Sequence, residues 1–424
     1  MGIEQSGTPA IDSGTTTFAA HAREPRIRAY RGGLTVILGV IALLILQACS
    51  LPVRLDAVPK DMEAQAEIPG MPGVRYWQPG DLERLTEGAI KSYNEQAQAW
   101  KAAGNKGPLP PANFLAISGG GENGAYGAGL LNGWTEAGTR PEFALVTGVS
   151  TGALSAPFAF LGSAYDQQLK DVYTTITAKD VLETRGIFAA IWNDAMADNT
   201  PLQNLVAKYV NQDLLAAIAA EHRKGRNLMI GTTNLDARRG VIWDIGKIAE
   251  YGTPEALELV RKILVASAAI PGAFPPMMID VEANGTKYQE MHVDGGASAQ
   301  VFVYPARLHV AEISEAAGIE RERHMYIIRN GRLDPDWADT ERQTLTIAGR
   351  AVSSLIQNQG NGDLYRIYAL AQRDKVDFNL AYIPPTFDVP LPEPFDQHYM
   401  QELFKLGYEQ GKAGYNWYKT PPGY

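Results

Sequence analysis

The stretch SGGGENGAYGAG (Ser118 to Gly129) follows the short apolar run FLAI (Phe114 to Ile117) and places six glycines in twelve residues. A strand that runs into a glycine-rich turn and then a helix is a strong constraint. The unpaired amides of the helix N-terminus point at whatever lies in front of them, and bare backbone lets a negative group approach closely. Gly119, Gly121 and Gly124 also satisfy G-x-G-x-x-G, the pattern that cradles a dinucleotide pyrophosphate. The first question is which anion this loop faces.

A second motif bears on it. TGVSTG (Thr147 to Gly152) contains G-x-S-x-G between a predicted strand, Phe143 to Thr147, and a predicted helix, Gly152 to Leu161. That is the context in which a serine projects its hydroxyl from a tight strand-to-helix turn. A nucleophilic Ser150 needs donors for the oxyanion and a base for its proton. The amides of Gly119, Gly120 and Gly121, unobstructed by side chains, are the candidate donors. The dinucleotide reading instead requires an acid closing the second strand. Here that strand runs into Gly148-Val149-Ser150, and Glu142 lies before it. The anion is therefore read as a reaction intermediate and not a bound cofactor.

For the base, MHVDGG (Met291 to Gly296) places His292 and Asp294 on one face of a strand, with Asp294 at the strand's end, where sites gather. Asn284-Gly285, between two extended runs, predicts a hairpin within Met277 to Asp294. Histidines after the acid, His309, His324 and His398, would complete a triad in the order Ser, acid, His. His292 is a further candidate, restricted by its short tether to Asp294.

The order S-G-G-G-x-x-G-A, G-x-S-x-G, D-G-G, together with ASAAIPGAFPP (Ala266 to Pro276), resembles the patatin-like phospholipases over roughly residues 113–309. The resemblance implies a serine–aspartate dyad without a catalytic histidine, with Ser150 as nucleophile, Asp294 as proton acceptor and Gly119 to Gly121 as the oxyanion loop. It implies acyl-ester hydrolysis of phospholipid or another acyl-ester lipid, without metal or cofactor. Asn123 stands where such proteins usually carry Lys or Arg. Two other readings remain beside it: a triad esterase of α/β-hydrolase type, and a lipoprotein that binds lipid without turning it over.

Around these motifs, strand and helix alternate. Phe114 to Ile117, Asn227 to Gly231 and Met325 to Arg329 read as strands, and Glu83 to Ala103 and Ala125 to Glu136 as helices. The pattern predicts an α/β fold of three layers, with a mostly parallel central sheet covered on both faces. In the tail, Thr344 to Ala371 reads as helix, Lys375 to Ile383 as extended, and Met400 to Ala413 as a helix with Met400, Leu403, Phe404 and Tyr408 on one face.

The N-terminus carries a different signal. Arg23, Arg26, Arg28 and Arg31 precede the apolar run LTVILGVIALLIL (Leu34 to Leu46), and the chain's single cysteine, Cys49, follows in LQAC. Thirteen apolar residues suit a signal-peptide core better than a membrane span, which needs about 20. The four letters resemble the lipobox of bacterial lipoproteins, which implies cleavage before Cys49, lipidation of its sulfur and a place in the cell envelope. An uncut anchor over residues 32–48 and a structural cysteine are the alternatives. Net charge is −9 with no long run of like charges, so a nucleic-acid partner has no electrostatic footprint. The expected organisation is a signal over 1–48, a linker and N-terminal extension over 49–112, a catalytic core over 113–309 and a C-terminal α/β extension over 310–424 that packs on the core as part of the same domain.

Overall fold

A computed structural model describes residues 54–184, 195, 197–335, 337 and 339–424. The expected signal segment and Cys49 lie outside the described residues. The unit formed by residues 52–424 is built on one large sheet. Its strands are β1 (Arg75–Trp77), β2 (Ala112–Ile117), β3 (Leu145–Val149), β6 (Asn227–Asn234), β7 (Arg239–Asp244), β8 (Met277–Ala283), β9 (Thr286–Asp294), β10 (Arg323–Arg329) and β11 (Asp377–Tyr382); β4 (Glu183–Thr184) and β5 (Ala197–Asp198) form a separate small ribbon. The order across the sheet is β1-β7-β6-β3-β2-β10-β11. The five strands from β6 to β11 are parallel, and β7 and β1 extend that edge antiparallel.

Side chains alternate as a sheet buried on both faces requires. Leu115, Ile117 and Ile328 pack into one core, whereas Ala116, Met325, Ile327 and Leu380 pack into another. The first core is covered by helices Gly124–Glu136, Thr151–Leu161, Pro254–Ser267 and Gln397–Lys412, the second by the C-terminal half of the long helix Thr344–Asp374. The three-layer expectation therefore holds, and the predicted helices fall within a few residues of their expected bounds.

One expected reading needs correction. Residues 54–73, read as linker, pack against the sheet: Ala66, Ile68 and Met71 are buried, and Glu67 pairs with Glu282 of β8. These apolar residues are scattered without a period, which is why the segment resembles a linker in sequence. The C-terminal extension, expected to pack on the core, supplies β10, which lies hydrogen-bonded between β2 and β11 within the sheet. The C-terminal segment is thus part of the same core.

The stripe of Met400, Leu403 and Phe404 packs inward as expected. What lets its helix approach so closely is glycine on both sides. A Cβ on Gly129 or Gly133 would lie 2.0 Å from the carbonyl oxygen of Phe404 or Tyr408, and one on Gly407 or Gly411 would lie 2.3 or 2.4 Å from that of Tyr126 or Leu130. The glycine-rich stretch thus has two uses: its first half shapes a loop, and its second half lets two helices touch backbone to backbone.

Candidate active site

Strand β6 brings the two predicted catalytic residues together. Residues 227–231 of β6 pair with β3, ending at Val149 opposite Gly231, and residues 232–234 pair with β9, ending at Asp294 opposite Thr232. Strand β7 occupies the other edge of β6 from Met229 to Asn234. So β3 and β9 arrive from opposite directions along one edge and terminate at adjacent registers, leaving Ser150 and Asp294 face to face. The β8–β9 hairpin that delivers Asp294 turns at Asn284 and Gly285, with φ of 50° and 77°. Positive φ at both positions is what an Asn-Gly turn supplies.

Ser150 has φ 55° and ψ −127°, a conformation that non-glycine residues rarely adopt and that costs of order 1–3 kcal/mol. Its surroundings hold it there. The Ser150 amide donates to Ser267 Oγ at 3.0 Å, and Ser267 Oγ donates to the Gly231 carbonyl at 2.7 Å. Ser267 is placed by the helix Pro254–Ser267, which is capped by Thr253 and begins with Pro254. Two residues later, the Ala269 carbonyl accepts the Asp294 amide at 2.9 Å. The segment beginning at Ala266 therefore fixes the backbone of both residues. The glycines flanking Ser150 are required by close approach: a Cβ on Gly152 would lie 2.2 Å from the Ile117 carbonyl oxygen.

Ser150 and Asp294 are only 7% and 5% exposed, and the Ser150 side chain is near enough to the Asp294 carboxylate to favour its charged form. The Gly296 amide donates to Asp294 Oδ1 at 2.7 Å. Burial pushes the Asp294 pKa up to about 6, although Ser150 and Gly296 pull the other way. The carboxyl group is thus ionised at neutral pH yet a better base than an exposed aspartate.

Both residues line a cleft of 1050 Å³ together with Gly120, Gly121, Asn123, Gln300 and Arg329. Within the glycine loop the structure separates Gly119 from Gly120 and Gly121. The amides of Gly120 and Gly121 have no acceptor among the described residues, whereas that of Gly119 donates to the Gln300 carbonyl at 3.1 Å. Gly119 is therefore corrected from oxyanion donor to loop anchor. Sequence gave no sign of this, because the acceptor is a main-chain group 181 positions away. Asn123, at the edge of the cleft, accepts a hydrogen bond from the Tyr399 hydroxyl at 2.6 Å.

No histidine among the described residues lines the cleft. His292 is buried with Nδ1 on Thr232 Oγ1 at 2.9 Å and Nε2 on Glu290 Oε2 at 3.0 Å, so both ring nitrogens are occupied. Glu290 in turn pairs with buried Arg75 at 2.5 Å, and Trp243 Nε1 donates to Thr232 Oγ1 at 2.8 Å. This network ties β9 to β1, β6 and β7. His309 and His324 pair with Glu312 and Asp377, and His398 is exposed. A second, apolar cavity of 230 Å³, lined by Phe114, Leu145, Met229 and Ile242, contains neither Ser150 nor Asp294.

A serine on a strained strand-to-helix elbow at the C-terminal end of a parallel strand, beside a buried carboxylate and two free loop amides, defines a recognisable class of α/β site. Within that class, residues 115–307 match the family model of the patatin-like phospholipases. No curated protein matches the sequence. Among solved structures, the chain is similar to VipD from Legionella pneumophila at 14% identity and a TM-score of 0.37, covering 72% of this chain and 66% of that one. It is similar to human GIVD cytosolic phospholipase A2 at 10% identity and a TM-score of 0.31, covering 77% and 56%. Similarity to the type III effector protein ExoU is at 15% identity and a TM-score of 0.20, covering 72% and 54%. The chain thus spans less than two thirds of the length of each of these structures.

Proposed function

We propose that this protein is a lipid acyl hydrolase that uses Ser150 as nucleophile and Asp294 as general base. The observation that carries the reading is the strained Ser150 beside a buried aspartate, Asp294, of raised pKa in one cleft. Asp294 accepts the Ser150 proton as the serine oxygen attacks an ester carbonyl. The amides of Gly120 and Gly121 hold the oxyanion. Collapse of the intermediate breaks the ester bond, and Asp294 returns the proton to the leaving alkoxide. Water, deprotonated by Asp294, then attacks the acyl-serine ester, and Asp294 returns that proton to Ser150 Oγ as the fatty acid leaves.

The occupied ring nitrogens of His292 and the absence of any described histidine from the cleft favour the dyad over a triad. The cleft also suits an acyl chain: Val352 and Leu355, the latter 70% exposed, lie among its lining residues. Lipid attachment at Cys49 and a place in the bacterial cell envelope complete the reading, supported by the apolar run before that cysteine. No helix among the described residues is long and apolar enough to cross a membrane. The test is fatty-acid release from phospholipid vesicles and from a short p-nitrophenyl ester by the wild type, Ser150→Ala and Asp294→Asn. Activity that disappears in both variants supports the dyad, and activity retained in Ser150→Ala refutes it.

A further inference from the structure

Arg329 closes β10 immediately behind the glycine loop, and sequence reasoning assigned it nothing. It is buried. Two glycines make its slot, since a Cβ on Gly360 would lie 2.7 Å from Nη2 and one on Gly331 would lie 3.3 Å from Cζ. Nη1 donates to Ser118 Oγ and to the Gly119 carbonyl, each at 3.2 Å, while Nε has no hydrogen-bond partner. Asp363 is close enough to favour its charge, but Arg329 forms no direct ion pair among the described residues. The neighbouring Asn330 amide donates to Ser118 Oγ at 2.8 Å, and Asn330 Nδ2 donates to the Ser118 carbonyl at 3.0 Å. A buried cation with little direct compensation is costly, and here it is spent on the loop.

The Gly119 carbonyl and the Gly120 N–H belong to one planar peptide and point in opposite directions. Ser118 Oγ also donates to that carbonyl, at 2.7 Å. Donors pulling on the oxygen, one of them charged, fix the plane of the peptide and polarise the N–H at its other end. That N–H is one of the two loop amides left without an acceptor beside Ser150.

We infer that Arg329 is a positioning residue for the oxyanion hole, acting through the Gly119–Gly120 peptide to orient and strengthen the Gly120 amide. The inference rests on the proposed role of Ser150. It is tested with full-length Arg329→Gln, Arg329→Lys and Gly360→Ala, the last of which crowds the guanidinium slot. Sites are counted by complete labelling with a fluorophosphonate, and kcat and KM are measured on a p-nitrophenyl ester.

Per labelled site, kcat is expected to fall about 10- to 100-fold in Arg329→Gln, the scale of losing part of one oxyanion donor, and less in Arg329→Lys. KM should stay within about twofold and the pH midpoint near that of the wild type, since Asp294 is untouched. If Arg329→Gln does not fold, Arg329→Lys and Gly360→Ala decide in the same way. A kcat per labelled site within threefold of wild type in the folded variants overturns the inference, as does a fall in labelled sites alone, which marks a purely structural role. Ser150→Ala is run alongside: wild-type turnover that survives it defeats the underlying reading, whereas turnover that depends on Ser150 but not on Arg329 defeats only this one.

Discussion

The main-chain amide of Ser150 donates to the side-chain hydroxyl of Ser267 at 3.0 Å, across 117 residues of sequence. That single hydroxyl stands between a strained elbow and its relaxation, because it also donates to the Gly231 carbonyl on the strand that sets the register of the site. Ser267→Ala leaves a buried amide and a buried carbonyl each short of one partner, at a cost of about 1–3 kcal/mol. The expected outcome is a lower Tm together with a fall in kcat larger than any change in KM, measured by thermal unfolding and by steady-state kinetics on the same preparation. An unchanged kcat would show that the elbow holds without Ser267.

Activity should depend on the ionised form of Asp294. With its pKa pushed up to about 6 by burial, kcat/KM is expected to rise with pH through about 6 and then level off. The same shift has a sign for stability. A carboxyl whose folded pKa lies above its unfolded value stabilises the fold at acid pH, and that contribution is lost as pH rises through about 6. The rise from 3.8 to about 6 corresponds to roughly 3 kcal/mol. Asp294→Asn should therefore be inactive yet gain in Tm relative to wild type as pH goes from 4 to 8, a trend that pH-resolved calorimetry reads directly.

Gly120 offers a sharper probe of the loop than its neighbours. A Cβ there would lie 2.0 Å from the Asn330 carbonyl oxygen, so Gly120→Ala must displace the loop. A loss of about 100-fold or more in kcat is expected, with labelling by a fluorophosphonate slowed in parallel. Gly129→Ala, whose Cβ would meet the Phe404 carbonyl oxygen at the same distance, should instead lower stability by about 1–3 kcal/mol with little effect on kcat of the folded fraction.

The Arg75–Glu290 pair is buried on both sides, and burial of Glu290 is outweighed by His292 and Arg75, which hold its carboxyl down at about 2. Arg75→Met strands a carboxylate next to the strand that carries Asp294. A destabilisation of about 3–5 kcal/mol is expected in chemical denaturation. The double variant Arg75→Met, Glu290→Gln should recover part of it, and additivity of the two changes would contradict a direct pairing.

What sequence made legible here was whatever is local. The G-x-S-x-G elbow, the Asn284-Gly285 turn and the strands at Phe114 to Ile117 and Met325 to Arg329 each depend on residues close together in the chain, and each was found where expected. The parts that escaped depend on contacts distant in sequence. Gly119 differs from Gly120 only through Gln300. Ser267 matters through an amide in another element, and Arg329 reads as the polar end of an apolar strand until β10 is placed beside β2. The clue available was the polar pair Arg329-Asn330 closing that strand, at the end of the sheet where Ser118 directly follows β2. His292 misled in the opposite direction: a histidine two residues before the base suggests catalysis, but its ring is enclosed by Thr232 and Glu290.

The most direct test of the central claim is to treat the protein with a fluorophosphonate and locate the adduct by peptide mass spectrometry. The account predicts one adduct, on Ser150, that is absent from Ser150→Ala, forms far more slowly in Asp294→Asn, and forms at wild-type rate when His292 or His398 is replaced in a folded variant. Labelling of a different serine, no labelling at all, or a rate that collapses with a histidine would contradict it.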